Sequence, residues 1–150
     1  VGHVKLACSS RPCGCGELGC LEATAGGAAL NRRVATLSFD DHDVPGEDPG
    51  SLVRLERAAA AGHPTAVALV EEVANGLALV ASSLCTVLNP QLLLIGGGVL
   101  MNVPSIRSRM EARTMSLTLA VARRRLSIRA GVLGDDAGIM GAAAAARAGA

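Results

Sequence analysis

Apolar residues recur at helical spacing through the middle of the chain. Residues 64–88 place a set of them three or four positions apart, on one face of a helix: Val67, Val70, Val73, Leu77, Val80, Leu84 and Leu88. Pro64 suits the first turn of such a helix, and Asn89-Pro90 turns the chain directly after it. The pattern therefore predicts a long helix over 64–88 with one buried face.

A strand and a glycine turn are predicted directly after this helix. Residues 92–95 form a short run of leucine and isoleucine, typical of a buried parallel strand, and three glycines follow them. Weak alternation over residues 1–7 fits the end of another strand. Similar patterns predict helices over 21–34, 51–61, 104–114 and 137–148, and a strand near 126–130. This order of elements indicates an α/β sandwich.

An acidic, turn-rich stretch separates two of the predicted helices. Residues 40–50 contain five acids and His42 among proline and glycine. Turn residues of this kind break the fixed geometry that a metal site needs. We therefore expect an exposed, solvated loop rather than a metal site.

Composition and charge restrict the partners. Half of the 150 residues are apolar and Phe39 is the single aromatic residue, so a core of aliphatic side chains is expected. The net charge of +1 creates no field that would attract nucleic acid or an anionic membrane, and Arg123 to Arg125 is a short cluster typical of a solvated face. Residues 73–106 lack charge, but polar residues interrupt them, so no membrane span is predicted.

The start of the chain resembles the interior of a domain. Val1-Gly2-His3 is neither an initiating methionine nor the basic and apolar start of a signal peptide. We therefore expect a cytoplasmic protein, of which the chain is a truncated piece.

Four of the five cysteines lie within the first 20 residues. The spacing His3-x9-Cys13-x-Cys15-x4-Cys20 supplies the Cys3His set that is common in structural zinc sites, and the intervening glycines let the backbone fold around an ion. It predicts that residues 3–20, called here the cysteine loop, bind zinc. Four protein ligands leave no open position for water, so the expected role is structural.

Disulfides and free thiols are the alternatives to zinc. An odd number of cysteines and the close spacing of Cys13 and Cys15 disfavour disulfides. Cys8 and Cys85 lie outside the ligand spacing, and both are expected to be inert small hydrophobic residues. Gly14, Gly16 and Gly19 match a dinucleotide-binding pattern, but no clear strand precedes them, so that interpretation is rejected.

Two polar side chains flank the predicted zinc site. His3 can bind metal through one ring nitrogen and donate a hydrogen bond from the other. Glu22 opens a helix, where a favourable charge at the helix N-terminus explains it slightly better than a ligand contact does. A donor and an acceptor fixed beside one metal would nevertheless suit the hydroxyls of a sugar.

The motif Gly2-His3, followed by residues 13–22 (CGCGELGCLE), resembles the signature of the ROK family of sugar kinases and sugar-responsive repressors. Residues 23–30, 88–99 and 138–144 resemble the helix, the strand with its glycine turn and the closing helix of that family. The resemblance implies the actin-like ATPase (ribonuclease H-like) fold. It further implies that residues 1–150 are the C-terminal half, with a zinc loop over 3–20 and an α/β lobe over 21–150, and that the N-terminal lobe is missing.

The resemblance also implies site residues. It makes His3, Cys13, Cys15 and Cys20 zinc ligands, and it makes His3 and Glu22 sugar contacts. It places Gly96, Gly97 and Gly98 near the adenosine of ATP. A second sugar-binding glutamate and the catalytic aspartate base would precede Val1, so no residue here is assigned as catalytic.

Two functions follow from the resemblance. One is an ATP- and Mg²⁺-dependent kinase of a hexose or N-acylhexosamine, in the manner of a glucokinase, of which this piece alone would be inactive. The other is a sugar-sensing transcriptional repressor, which would contact DNA only through a helix-turn-helix upstream. A zinc-stabilised interaction fragment is a third interpretation. A sugar ligand and a homodimer are expected partners.

Overall fold

The computed structural model describes residues 1–39 and 50–149, so the predicted acidic loop lies outside the described residues except for Gly50. The helices before the first strand are α1 (Leu21–Ala25), α2 (Gly27–Ala35), α3 (Ser51–Ala60) and α4 (Pro64–Leu88). The elements that follow are β1 (Leu92–Ile95), α5 (Gly98–Asn102), α6 (Pro104–Leu117), α7 (Ala120–Arg123), β2 (Ser127–Ala130), a 3₁₀ turn (Gly134–Asp136) and α8 (Ala137–Ala148).

Most predicted elements are present close to their predicted bounds. The long helix α4 begins at Pro64 and ends at Asn89, whose left-handed conformation (φ 48°) lets its N–H bond the carbonyl of Cys85 at 3.0 Å. Several predictions were inaccurate. The helix over 21–34 is divided at Gly26, which is extended, and residues 1–7 contribute only a bridge between Lys5 and Cys20. The short helices α5 and α7 were missed.

Helix α4 forms the centre of the fold. It packs mainly against α6 and also against α1 and α3, with the following side chains buried along it: Ala66, Leu69, Val70, Val73, Ala74, Ala78, Val80, Ala81 and Cys85. By length and composition α4 is also long and apolar enough to cross a membrane, but half of its most apolar window is buried inside the chain. Packing in the core therefore accounts for its apolar character.

Strands β1 and β2 pair in parallel, from Leu92 with Ser127 to Ile95 with Ala130. The prediction of a buried β1 was only partly right, because Ile95 is buried whereas Leu94 is 64% exposed. The predicted buried face of α4 likewise fails at its end, where Leu88 is 68% exposed. No residue of α8 is buried. The described residues thus leave apolar side chains of β1, the end of α4 and α8 exposed.

A carboxylate on α4 ties this helix to α6. Glu71 Oε1 accepts a hydrogen bond from Arg109 Nε at 2.7 Å, and its second oxygen accepts one from Arg113 Nη2. The hydrogen bond from Arg109, together with the charges of both arginines, holds the pKa of Glu71 below its ordinary value against the opposing effect of burial.

The contact of Glu71 with the two arginines predicts that stability depends on pH. Folding lowers the pKa of this carboxyl, so its contribution to stability is complete when the pH is above its pKa in the unfolded chain, about 4.5. The contribution is lost as the pH falls through the lower pKa of the folded protein. We expect Glu71→Gln to lower the free energy of unfolding by about 1 kcal/mol at pH 7 and by less in acid. Urea unfolding across pH 3–7 measures the difference. Glu111→Gln, which removes a carboxylate 4.0 Å from Arg107, is the control, and a pH-independent difference for Glu71→Gln would contradict the prediction.

Candidate functional site

The cysteine loop folds back on itself through two narrow turns. Leu6 N–H bonds the carbonyl of Gly19 at 2.7 Å, and Gly19 N–H bonds the carbonyl of Arg11 at 2.9 Å. Gly19 has a φ of +75°, and a Cβ there would lie 2.5 Å from the carbonyl oxygen of Ser9. A side chain at position 19 would therefore both strain the backbone and force the turn open. Glycine at this position allows the loop to close.

Closure of the loop brings the four predicted metal ligands together. The ligand atoms of His3, Cys13, Cys15 and Cys20 all lie within 4.8 Å of one another. The Cys15 and Cys20 sulfurs are 3.7 Å apart, and His3 Nδ1 is 3.8 Å from the Cys13 sulfur. Tetrahedral zinc with ordinary bond lengths requires separations of about 3.8 Å between two sulfurs and about 3.6 Å between sulfur and nitrogen. The residues present therefore fit a Cys3His zinc site.

The other cysteine predictions have different outcomes. All five thiols are free, so the disulfide alternative is not supported by the structure. Cys85 is buried on α4, and burial raises the pKa of its thiol, as expected for an inert small hydrophobic residue. Cys8 is exposed and lies outside the ligand cluster, so burial accounts for the predicted inertness of Cys85 alone.

The pKa values of two thiols in this cluster are shifted in opposite directions. A hydrogen bond from the backbone N–H of Glu17, aided by Cys13, lowers the pKa of Cys15 to about 7. Burial raises the pKa of Cys20, and hydrogen bonds with the other thiols of the cluster add to this effect. A metal ion would oppose the second shift, because a coordinating thiol is deprotonated.

Lys5 is a residue of this site that the sequence did not reveal. Its ammonium lies 3.5 Å from the Cys20 sulfur and also donates to Glu17 Oε2 at 3.2 Å and to the carbonyl of Leu18 at 2.9 Å. Burial lowers the pKa of Lys5, but the hydrogen bonds to Glu17 and Cys20 outweigh it and raise the pKa. Three thiolates and a neutral imidazole would leave a zinc site with one net negative charge, which a cation at Lys5 would offset.

Glu22 lies beside the cysteine loop in a cradle formed by two glycines. Its N–H bonds the carbonyl of Gly2 at 2.7 Å. A Cβ on Gly2 would lie 2.7 Å from Glu22 Oε2, and one on Gly26 would lie 2.3 Å from Oε1. The carboxylate is therefore packed between two backbone segments that lack side chains. His3 directly follows Gly2, so its backbone lies close to that of Glu22, and both residues are exposed.

The predicted nucleotide-binding glycines lie at the start of α5. Gly97 has a φ of +97°, which favours glycine, and Gly98 is the first residue of the helix. Among the described residues, no heavy atom lies within 4 Å of a Cβ built on Gly96 or Gly97, so the backbone is accessible there. Val99 Cγ2 lies 3.7 Å from a Cβ built on Gly27. Val99, the residue after the glycine turn, therefore lies near Gly27 of α2, although the two are far apart in the sequence.

An α/β fold with a Cys3His cluster in its first 20 residues is the combination that the resemblance to the ROK family implies. A profile of the ROK family matches residues 1–148. The chain belongs to the ROK family, and the resemblance inferred from its motifs is confirmed.

Individual relatives agree with this assignment. N-acetyl-D-glucosamine kinase of Yersinia pseudotuberculosis is 36% identical over 88% of the chain and 40% of its own length. The ROK hexokinase of Thermus thermophilus has 32% identity and a TM-score of 0.74, over 94% of this chain and 44% of that one. The Streptomyces griseus ROK glucokinase, solved with glucose and AMPPNP, has 28% identity and a TM-score of 0.74, over 97% and 50%.

A ROK transcriptional regulator, a homologue of the E. coli MLC protein, shares the fold at 23% identity and a TM-score of 0.66, over 86% of this chain and 33% of that one. Both kinases and regulators therefore contain this lobe. The chain spans less than half the length of the Yersinia kinase that it matches.

Proposed function

We propose that the chain is the C-terminal half of an ATP-dependent sugar kinase that acts on a hexose or an N-acylhexosamine. The observation that carries this proposal is the position of Glu22 against Gly2, the residue before His3 of the Cys3His cluster, in a chain 36% identical to an N-acetyl-D-glucosamine kinase. The named kinase relatives favour a sugar substrate, since one is a hexokinase and another was solved with glucose.

In this proposal the cysteine loop has a structural role. Zinc held by His3, Cys13, Cys15 and Cys20 would fix the backbone on which His3 and Glu22 are placed. His3 would use Nδ1 for the metal, because that nitrogen faces the Cys13 sulfur, and would present Nε2 to a sugar hydroxyl. The Glu22 carboxylate would accept a hydrogen bond from the sugar.

The phosphate donor would lie at the other end of the same surface. Gly96 to Gly98 would contact the adenosine of ATP, since their backbone is accessible and the residue after them, Val99, lies near Gly27 of α2. Mg²⁺ would bridge the phosphates. The base that removes the proton of the sugar hydroxyl would come from the other half of the protein.

We also propose that residues 1–150 are the C-terminal lobe of the protein, with a zinc loop over 3–20 and an α/β lobe over 21–150. We infer that the N-terminal lobe covers part of the apolar surface that β1, the end of α4 and α8 leave exposed. A homodimer and a cytoplasmic location remain predictions. The same lobe in a regulator makes a sugar-responsive repressor the alternative.

Two protein forms test the proposed function. We expect the complete protein to release ADP from ATP in the presence of glucose or N-acetylglucosamine, whereas residues 1–150 alone give no sugar-dependent ADP. A coupled assay with a panel of sugars measures this. Sugar binding without ADP release by the complete protein would favour the repressor, and phosphorylation by residues 1–150 alone would show that the base lies within this chain.

A further inference from the structure

Glu72 is a carboxylate on α4 that joins two arginines from separate parts of the chain. Arg11 approaches it with Nη2 at 3.1 Å and Nε at 3.3 Å from Oε1. Arg33 of α2 donates from Nη2 to Oε2. These hydrogen bonds are charge-assisted, and both oxygens of the carboxylate are engaged.

The position of Arg11 makes this contact relevant to the metal ligands. Arg11 lies in the cysteine loop, two residues before Cys13, and its carbonyl accepts the hydrogen bond from Gly19 that closes the loop next to Cys20. Holding the Arg11 side chain therefore fixes the backbone between the first ligand and the other three. Glu72 supplies this hold from the most deeply packed helix of the fold.

The second arginine extends the connection towards Glu22. Arg33 also donates from Nη1 to the carbonyl of Thr24 at 3.3 Å, and Thr24 lies two residues after Glu22 on α1. Its side chain is only 21% exposed, compared with 42% for Arg11, so it is the less solvated of the two partners. One carboxylate thus links the cysteine loop, α1, α2 and α4.

We propose that Glu72 is a positioning residue for the metal centre. It holds the cysteine loop against α2 and α4, and thereby keeps the four ligand atoms at coordinating distance and slows the release of zinc. The inference rests on the zinc site of the proposed function, and it concerns a residue that touches neither the metal nor the sugar.

The neighbouring residue Glu71 provides a matched control. It lies on the same helix and also binds two arginines, but these are Arg109 and Arg113 of α6, which does not carry the cysteine loop. Glu71→Gln and Glu72→Gln therefore remove the same charge from equivalent two-arginine clusters. A purely structural role for both would produce similar losses of stability and no difference at the metal.

The experiment measures zinc release in the complete protein. Wild type, Glu71→Gln and Glu72→Gln are mixed with excess chelator, and a metal-sensitive dye follows the ion. We expect zinc release to be about two- to fivefold faster in Glu72→Gln than in wild type, as the loss of a part-exposed ion pair implies, and close to wild type in Glu71→Gln. Equal release rates in the two variants would overturn the proposal. If Glu72→Gln does not fold, Arg11→Gln, which preserves the contact between Arg33 and Glu72, is expected to show the same acceleration.

Amide hydrogen exchange tests the role of Glu72 separately from the prediction that the cysteine loop binds zinc. If the purified wild type carries no zinc, the zinc site is wrong, and the role of Glu72 is judged by amide protection in residues 9–20. Selective loss of that protection in Glu72→Gln would still support the hold on the loop. Protection equal to that of Glu71→Gln would overturn it.

Discussion

Cys20→Ser is expected to abolish zinc binding by the complete protein, reducing the content from about one ion per chain to about 0.1 or less. Cys20 is fully buried, and its sulfur lies 3.7 Å from that of Cys15. It also directly precedes α1, which carries Glu22. A hydroxyl is a much poorer zinc ligand than a thiolate, and three remaining ligands would hold the ion weakly. Metal analysis after purification in limiting chelator measures the content.

Cys8→Ser is the matched control for this prediction. Cys8 belongs to the same segment but is exposed and lies outside the ligand cluster, so its variant should retain zinc at the wild-type level. A Cys20→Ser protein that keeps its full zinc content would show that Cys20 is not a ligand. Equal zinc loss in both variants would indicate that any substitution in the segment disturbs it.

The sequence predicted helices and strands well where local signals dominate. Pro64 and Asn89 mark the ends of α4 because proline fits a first helical turn and asparagine tolerates the left-handed cap. The division at Gly26 was missed, since the apolar spacing on either side continues as if the helix were unbroken. The exposure of β1 was also missed. A run of leucines predicts burial on both faces, whereas burial depends on which elements lie against the sheet.

Only the cluster within the first 20 residues of the candidate site could be predicted reliably from the sequence. The sequence predicted that His3, Cys13, Cys15 and Cys20 cluster, because a zinc site requires both these residue types and this spacing, and the structure brings the four candidate ligand atoms within 4.8 Å of one another. Lys5 and Glu72 were not identified. Lys5 contacts Cys20 within the same loop, but metal ligation imposes no residue type or spacing on a neighbouring cation. Glu72 contacts Arg11 across 61 residues of sequence, and no sequence periodicity marks a charged residue whose partner is so distant.

Glu22→Gln is expected to weaken sugar binding by the complete protein about 10- to 100-fold, with little change in zinc content. A hydrogen bond between a neutral hydroxyl and a carboxylate contributes about 1.5–3 kcal/mol, and glutamine keeps the shape of the side chain while removing the charge. Calorimetric titration with glucose and N-acetylglucosamine measures the dissociation constant, and it applies equally to a kinase and to a sugar-responsive repressor. Glu17→Gln is the control, because Glu17 is exposed in the same loop and pairs with Lys5.

The same variant decides between the two explanations of Glu22. If the carboxylate only complements the helix N-terminus, its loss should cost about 0.3–1 kcal/mol of stability and leave sugar affinity unchanged. That explanation is weakened by the shortness of α1, which has five residues and hence few aligned peptide dipoles. It also leaves the cradle unexplained, because a charge at a helix terminus needs no glycine on either side, whereas here a Cβ on Gly2 or Gly26 would collide with the carboxylate. A carboxylate held in a fixed position between two glycines is suited to directional recognition of a hydroxyl, so the affinity should fall by more than the stability does.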